Sequence, residues 1–281
     1  MLKTYNYIQE ELQNYYPISE IKTFASVIFK ELFNISFVEI FSNSENIISK
    51  NDFSSIISIV NRLQNNEPIQ YIFGKTNFLE FSFSVTKDVL IPRPETEELV
   101  EWVLKESSSL LPYRILDIGT GSGCIAISLA KRLEKSTVFA YDISRKALEI
   151  AKKNAENYST TIFFRKFDIL KNNFDEISEK FDIIISNPPY VTESEKLFMQ
   201  LNVLEYEPKQ ALFVPDNNPL LFYKKIAEFA KKKLNPNGFL YFEVSSIFGK
   251  DTLNMLKQMG FLNVILEKDI SGKDRMIQAK L

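Results

Sequence analysis

The sequence predicts an α/β fold: a largely parallel sheet covered by helices on both faces, preceded by a small helical bundle and a connecting β-hairpin. Three observations predict it. Beyond Pro112, short apolar runs alternate with amphipathic helical stretches, the rhythm of strand–helix–strand units. Over the first 70 or so residues, apolar side chains recur at helical spacing between polar turns. Between these regions Phe78, Phe81, Phe83 and Val85 nearly alternate with polar residues, as a hairpin requires.

The elements follow in order. Leu2 to Tyr16 reads as a helix stopped by Pro17; Ser19 opens Glu20 to Phe33, and Asp52 is the expected N-cap of Phe53 to Gln64. A further short helix fits Phe37 to Phe41. The stretch Ile69 to Ile91 holds the hairpin. Pro92 and Pro94 then break the chain before a helix from Glu95 to Glu106. Strands are expected at Arg114–Ile118, Thr137–Tyr141, Ile162–Phe167, Phe181–Ser186, Phe239–Val244, Leu262–Glu267 and Asp274–Lys280, which makes seven. Helices fill the gaps at Ile125–Leu133, Arg145–Asn157, Leu220–Leu234 and Asp251–Met259.

Composition excludes several chemistries. The chain has 281 residues, 45% of them apolar, enough for one large domain with an appendage. It contains no histidine, which removes His-based triads and imidazole acid–base catalysis. Cys124 is the single cysteine, so neither an intrachain disulfide nor a cysteine zinc cluster can form, and packing is its expected role. No metal site is expected. A formal charge of −2 offers no strong field for nucleic acid, and Lys231-Lys232-Lys233 reads as a solvated helix end. No apolar run approaches the roughly 20 residues that span a bilayer. The N-terminus lacks a signal-peptide core, so a cytoplasmic protein without membrane contact is expected.

Four strand ends carry the chemistry. Asp117-Ile118-Gly119-Thr120-Gly121-Ser122-Gly123 follows the first core strand, and its alternate glycines let the backbone bend and approach a ligand. The spacing is not that of a dinucleotide site, and by itself it signals only a tight turn. Asp142 ends the next strand, where a carboxylate can accept both ribose hydroxyls of a nucleoside. Asp168 ends the third, followed by Ile169, so that an adenine ring could lie on the apolar side chain and donate its amino group to the acid. No lysine completes a phosphate loop, and acids surround it. A positively charged nucleoside fits better, and S-adenosylmethionine has that form.

The fourth strand ends in Asn187-Pro188-Pro189-Tyr190. Its two prolines donate no N–H and force an extended path, holding the Asn187 and Pro188 carbonyls outward beside an amide and an aromatic ring. Such a cluster can accept both hydrogens of a planar –NH2 group. A nucleobase and a side-chain amide are equally eligible at this point.

The glycine loop, Asp142 and Asn187-Pro188-Pro189-Tyr190 together resemble class I S-adenosylmethionine-dependent methyltransferases acting on amino or amide nitrogen. Glu67-Pro68-Ile69-Gln70-Tyr71-Ile72-Phe73-Gly74 and Val89-Leu90-Ile91-Pro92-Arg93-Pro94-Glu95-Thr96-Glu97 discriminate further. They resemble the bacterial and organellar glutamine-N5 methyltransferases of peptide chain release factors. Tyr206-Glu207-Pro208, Ala211-Leu212 and Asp269-Ile270-Ser271-Gly272-Lys273-Asp274-Arg275 match in order, so the resemblance covers essentially the whole chain. One departure is Ser245-Ser246, where a glycine is usual, with Phe248 or Gly249 where a glutamine commonly lies.

The resemblance implies a Rossmann-like, mostly parallel seven-stranded methyltransferase domain over 94–281. Ahead of it would stand a helical substrate-recognition domain over 1–74 and a hairpin linker over 75–93. It implies S-adenosylmethionine held by Asp117, Ile118, Gly119, Thr120, Gly121, Asp142, Asp168, Ile169 and Asn187. The implied substrate is the Gln of a release factor's Gly-Gly-Gln motif, bound by Asn187, Pro188, Pro189 and Tyr190, with Asn187, Pro188 and Tyr190 catalytic. In that scheme Asn187 and Pro188 accept the amide hydrogens, and Tyr190 packs against the amide plane. A monomer without stable nucleic-acid binding is expected. Arg93, Glu95 and Thr96 either form a cofactor lid or play structural parts, an Arg93–Glu95 surface pair and a Thr96 helix cap. Glu207 either reaches the amide pocket or forms a buried salt bridge. Two rivals remain: an amino methyltransferase for adenine or guanine in nucleic acid, and a catalytically silent adaptor that binds release factors through its helical bundle.

Overall fold

The computed structural model describes residues 1–42, 47–171 and 173–281, and the chain divides into two compact units. One comprises Met1–Gly74 with Leu201–Tyr206, the other Lys75–Gln200 with Glu207–Leu281.

The first unit contains α1 (Leu2–Leu12), α2 (Ile18–Phe33), α3 (Phe37–Ser42), α4 (Lys50–Gln64) and α5 (Ile69–Phe73). Ile8, Leu12, Ile21, Ile28, Ile56 and Leu63 are wholly buried among them, on the faces their helical spacing defines. Two boundaries differ from the sequence reading. Ser49, not Asp52, caps α4: its hydroxyl accepts the Asp52 amide at 3.2 Å, and Asp52 sits in the first turn, where its charge suits the helix dipole. Ile69–Phe73 closes as a short helix, so the hairpin begins only after it.

The second unit opens with β1 (Lys75–Phe78) and β2 (Phe81–Ser84), an antiparallel hairpin that buries Phe78 and Phe83. In α6 (Pro94–Glu106) the proline takes the first position, where its missing N–H forfeits no helical bond. Then follow β3 (Arg114–Ile118), α7 (Cys124–Arg132), β4 (Thr137–Asp142), α8 (Arg145–Asn157), β5 (Ile162–Lys166) and β6 (Phe181–Ser186). The short strand β7 (Val191–Thr192) precedes α9 (Leu201–Tyr206), the segment belonging to the first unit, and pairs with β8 (Phe213–Val214). The chain ends in α10 (Leu221–Lys233), β9 (Leu234–Glu243), α11 (Gly249–Gln258), β10 (Leu262–Lys268) and β11 (Asp274–Lys280).

Seven strands form one sheet in the order β10-β11-β9-β6-β3-β4-β5. The five from β9 to β5 run parallel, and β11 is antiparallel to both its neighbours. Buried on both faces, β3 and β6 read as continuous apolar runs rather than alternating ones. From β3 the chain winds outward through β4 to β5, then returns to lay β6 on the other side of β3. The carboxyl ends of β3 and β6 therefore flank the point where strand order reverses, the place where open α/β sheets bind ligands.

Two further expectations are corrected. β9 begins at Leu234, ahead of Phe239, because Leu234 already pairs with Phe181 before the Asn235–Gly238 turn interrupts the ladder. The lysine triplet is not uniformly solvated: Lys233 is buried and donates its ammonium to the Ile177 carbonyl. No helix among the described residues is long and apolar enough to cross a membrane.

Candidate active site

The carboxyl ends of β3, β4, β5 and β6 surround a cavity of about 280 Å³. Ile118, Gly119 and Gly121 line it from the loop after β3; Asp142, Ile143 and Ser144 from the end of β4. Asp168 and Ile169 follow β5, and Asn187, Pro188 and Pro189 follow β6. Leu90, Phe167, Phe222 and Ile226 make much of the remaining wall apolar. Nine of the predicted site residues thus meet in one cavity, because each closes a strand of the same sheet edge.

Asp142 ties that edge together. One carboxylate oxygen accepts the Gly121 N–H at 2.9 Å and the other the Ser144 N–H at 2.8 Å. Burial pushes its carboxyl up, while those backbone donors pull it back down. Two ionised oxygens offer about four acceptor positions, so hydroxyl hydrogens of a ligand can still be received. Gly119 adopts φ +78°, and a Cβ there would stand 4.0 Å from the Asn187 carbonyl oxygen. The glycine loop and the end of β6 therefore approach each other without a side chain between them. Asp168 is held by the Leu170 N–H at 3.0 Å.

Three expected site residues lie outside the lining. Asp117 is wholly buried; one of its oxygens accepts the Thr120 hydroxyl at 2.6 Å and the other meets no close hydrogen-bond donor among the described residues. Burial, with the nearby Asp142 charge, pushes its carboxyl up to about 7. Asp117 and Thr120 thus brace the base of the glycine loop from the interior. Tyr190 packs its ring on the core, and its hydroxyl donates to Glu243 Oε1 at 3.1 Å. Burial, and then the Glu243 charge, push its phenol up.

The Asn187 side chain donates from Nδ2 to the Thr96 hydroxyl at 3.1 Å, and Thr96 in turn donates to Glu243 Oε2 at 2.5 Å. Among the described residues neither the Asn187 nor the Pro188 carbonyl accepts a backbone hydrogen bond. Thr96 and Glu243 were the partners hidden from sequence reading; they stand 147 positions apart. Arg93 pairs with Glu207 at 2.6 Å rather than with Glu95, and Glu207 also accepts the Ile91 N–H at 3.3 Å. Glu207 is therefore the buried acid of a half-buried ion pair. Thr96 is buried at 3% exposure and is not a cap.

The Ser245-Ser246 departure forms a closed turn: the Ser245 N–H donates to the Tyr223 hydroxyl at 3.3 Å, and its own hydroxyl accepts the Ile247 N–H at 3.3 Å. Cys124 is buried, with its thiol pushed up to about 12 by burial, as packing requires. Among the described residues no group of three or more His, Cys, Asp or Glu side chains is placed to hold a metal.

The donor set fits a cationic nucleoside. Asp142 offers acceptors for ribose hydroxyls, Asp168 and Ile169 stand together at the next strand end, and the apolar wall suits a base and a thioether-like chain. A family model described as the methyltransferase small domain matches residues 96–211, and one described as the PrmC N-terminal domain matches residues 4–74. A Bacteroides thetaiotaomicron protein named release factor glutamine methyltransferase is 45% identical over 273 residues, 97% of each chain. A Flavobacterium psychrophilum protein of the same name is 46% identical over 272 residues, 96% of this chain and 95% of the relative. Among solved structures, a Pyrococcus furiosus methyltransferase aligns with TM-score 0.52 at 17% identity, covering 78% of this chain and 96% of its own. A T. thermophilus 16S rRNA N2 G1207 methyltransferase, solved with AdoMet and guanosine, also gives 0.52, at 14% identity, covering 73% of this chain and 49% of its own. These two likenesses concern the fold.

Proposed function

The chain belongs to the release factor glutamine methyltransferases, and from that premise we propose that it methylates the side-chain amide nitrogen (N5) of the glutamine in a release factor's Gly-Gly-Gln motif. S-adenosylmethionine is the methyl donor of this class and supplies an activated methyl group on a sulfonium. Gly119, Gly121, Asp142, Asp168 and Ile169 would hold it, with Asp117 and Thr120 supporting the loop from the interior.

The observation that carries the reading is the end of β6, where Asn187 and Pro188 line the cavity opposite the glycine loop with carbonyls that accept no backbone hydrogen bond among the described residues. An amide nitrogen is a poor nucleophile because its lone pair is delocalised into the carbonyl. When Asn187 Oδ1 and the Pro188 carbonyl accept its two hydrogens, the nitrogen is oriented and gains electron density. Those bonds strengthen as positive charge develops on nitrogen, so they favour the transition state over the ground state. The proton leaves after transfer, so a chain without histidine suffices. Tyr190, its hydroxyl tied to Glu243, would pack its ring against the amide plane.

The helical unit is read as the release-factor recognition element and the protein as a cytoplasmic monomer. A formal charge of −2 supports a protein substrate over a phosphate backbone. The test offers labelled S-adenosylmethionine with a release factor, with the same factor carrying Ala for the motif Gln, and with DNA. Label is expected on the first alone. Label on DNA, or on both protein forms alike, overturns the assignment. Asn187→Ala should abolish transfer while cofactor binding persists, and full activity in that variant removes the mechanism.

A further inference from the structure

The amide of an asparagine is nearly symmetrical in shape, and its two ends are opposite in chemistry. If Asn187 turned its nitrogen toward the acceptor site, two –NH2 groups would face each other and the substrate would lose a hydrogen-bond acceptor. Something in the protein must choose the oxygen. The Asn187 backbone cannot, because rotation about the terminal side-chain bond is soft and two-fold.

A chain of three groups makes the choice. Glu243 ends β9, beside β6, where Ser186 pairs with Phe242. It is 1% exposed, and its two oxygens receive Thr96 Oγ at 2.5 Å and the Tyr190 hydroxyl at 3.1 Å. Thr96 Oγ donates to the Glu243 Oε2 acceptor, so the single hydrogen of Thr96 points at Glu243. Thr96 Oγ has then only lone pairs left for Asn187, 3.1 Å away, and must be met by Nδ2. Oδ1 is left for the acceptor site. Burial pushes the Glu243 carboxyl up, and the two hydroxyl donors and the nearby Arg275 charge pull it down.

We infer that Glu243 is a positioning residue which, acting through Thr96, fixes the Asn187 carboxamide with its oxygen toward the substrate amide. The consequence for catalysis rests on the function proposed above; the orientation itself does not. A neutral acceptor cannot do the same. A glutamine at 243 can turn its –NH2 to Thr96, which then donates to Asn187 Oδ1 and reverses the amide.

The test uses the full chain with Thr96→Val, Thr96→Ser and Glu243→Gln, each checked by thermal melting and cofactor binding. Two readouts are taken: kcat and KM for the release factor, and the Asn187 side-chain NH2 signals in 15N spectra, assigned by their loss in Asn187→Ala. Thr96→Val should lower kcat by between about tenfold and a hundredfold, the usual consequence of a misplaced group, with cofactor affinity kept. Thr96→Ser, which retains the hydroxyl, should recover most of that loss. The Asn187 NH2 protons should be protected from exchange in the wild type and lose protection in Thr96→Val and Glu243→Gln. A folded Thr96→Val protein with wild-type kcat overturns the inference, as does unchanged protection in both variants. If the wild type transfers no methyl to the release factor, the proposed function fails, and the NH2 signals alone still decide the relay.

Discussion

Replacing Asp117 by asparagine should flatten the pH dependence of stability. Asp117 has no solvent exposure, one oxygen bonded to Thr120 and one that meets no close hydrogen-bond donor among the described residues. Its carboxyl rises from an ordinary 3.8 to about 7, chiefly through burial and then through Asp142. The folded chain therefore holds this proton more tightly than the unfolded chain. Its contribution to stability is present in full below the unfolded value and is lost as pH rises through the folded one. At about 1.36 kcal/mol per pH unit, the whole window amounts to about 4 kcal/mol, and the part between about pH 5 and about pH 8 to roughly 3 kcal/mol. Asparagine has nearly the same shape and does not titrate. Trp102, the single tryptophan, packs edge-on to Tyr241 in the same unit, so its fluorescence reports the unfolding of that unit. Urea titrations without cofactor should show the wild type losing roughly 3 kcal/mol more than Asp117→Asn across that range, by the same linkage. Parallel stability curves for the two proteins would refute the account of Asp117 as a buried, largely protonated acid.

Other perturbations follow from the same contacts. Arg93→Ala strips the cation from Glu207, whose side chain is 1% exposed, and should destabilise by about 2–3 kcal/mol. Adding Glu207→Gln to it should restore part of that loss, and a purely additive double-mutant cycle would contradict the pairing. Gly123→Ala should cost about 2–4 kcal/mol in melts of the larger unit, because φ is +83° and the new Cβ would meet Ala151 Cβ and Ile127 Cδ1 at 3.1 Å. An unchanged melting temperature would count against that close approach. Ser49→Ala removes the cap of α4 and should lower the stability of the helical unit by about 1 kcal/mol. An equal loss from Asp52→Ala would return the cap to Asp52.

What could be read from the sequence had local physical causes. β3 and β6 stood out as apolar runs because a central parallel strand is buried on both faces. The span of α8 was legible because Ala147, Leu148, Ala151 and Ala155 keep helical spacing, and the structure adds the Ser144 cap. Lining residues at strand ends were legible too, since once the strands are placed, the fold carries their last residues to a common edge. What escaped depended on partners distant in the chain. Thr96 reads as a helix-start residue until Glu243 is seen beside it, and Arg93 has Glu95 as a neighbour in sequence but Glu207 in space. The resemblance places Asp117 among the cofactor residues, whereas its burial inside β3, ahead of Ile118, and its bond to Thr120 appear only in the fold. That α9 joins the helical unit is equally a non-local fact, with no turn or composition shift to announce it.

Buried acids give this sheet edge its character, and their arrangement argues that it is shaped by more than stability. Asp117, Asp142 and Glu243 all lie in or at the end of sheet strands, all are at most 9% exposed, and burial pushes all three carboxyls up. Apolar residues of similar volume at such positions are often neutral or stabilising. Each acid instead accepts a hydrogen bond from the cavity's frame. Asp142 holds the glycine loop by Gly121, Asp117 holds it by Thr120, and Glu243 holds the acceptor end by Thr96 and Tyr190. An amide nucleophile is weak enough that its orientation toward the methyl group is most of what a protein can contribute. In the proposed reaction, acceptors at the two sides of one cavity would supply that orientation, and Glu243, accepting from both Thr96 and Tyr190, gives its hydrogen-bond chain a single direction. The destabilisation predicted for Asp117 above its pKa is thus a consequence of the same design that aims Asn187.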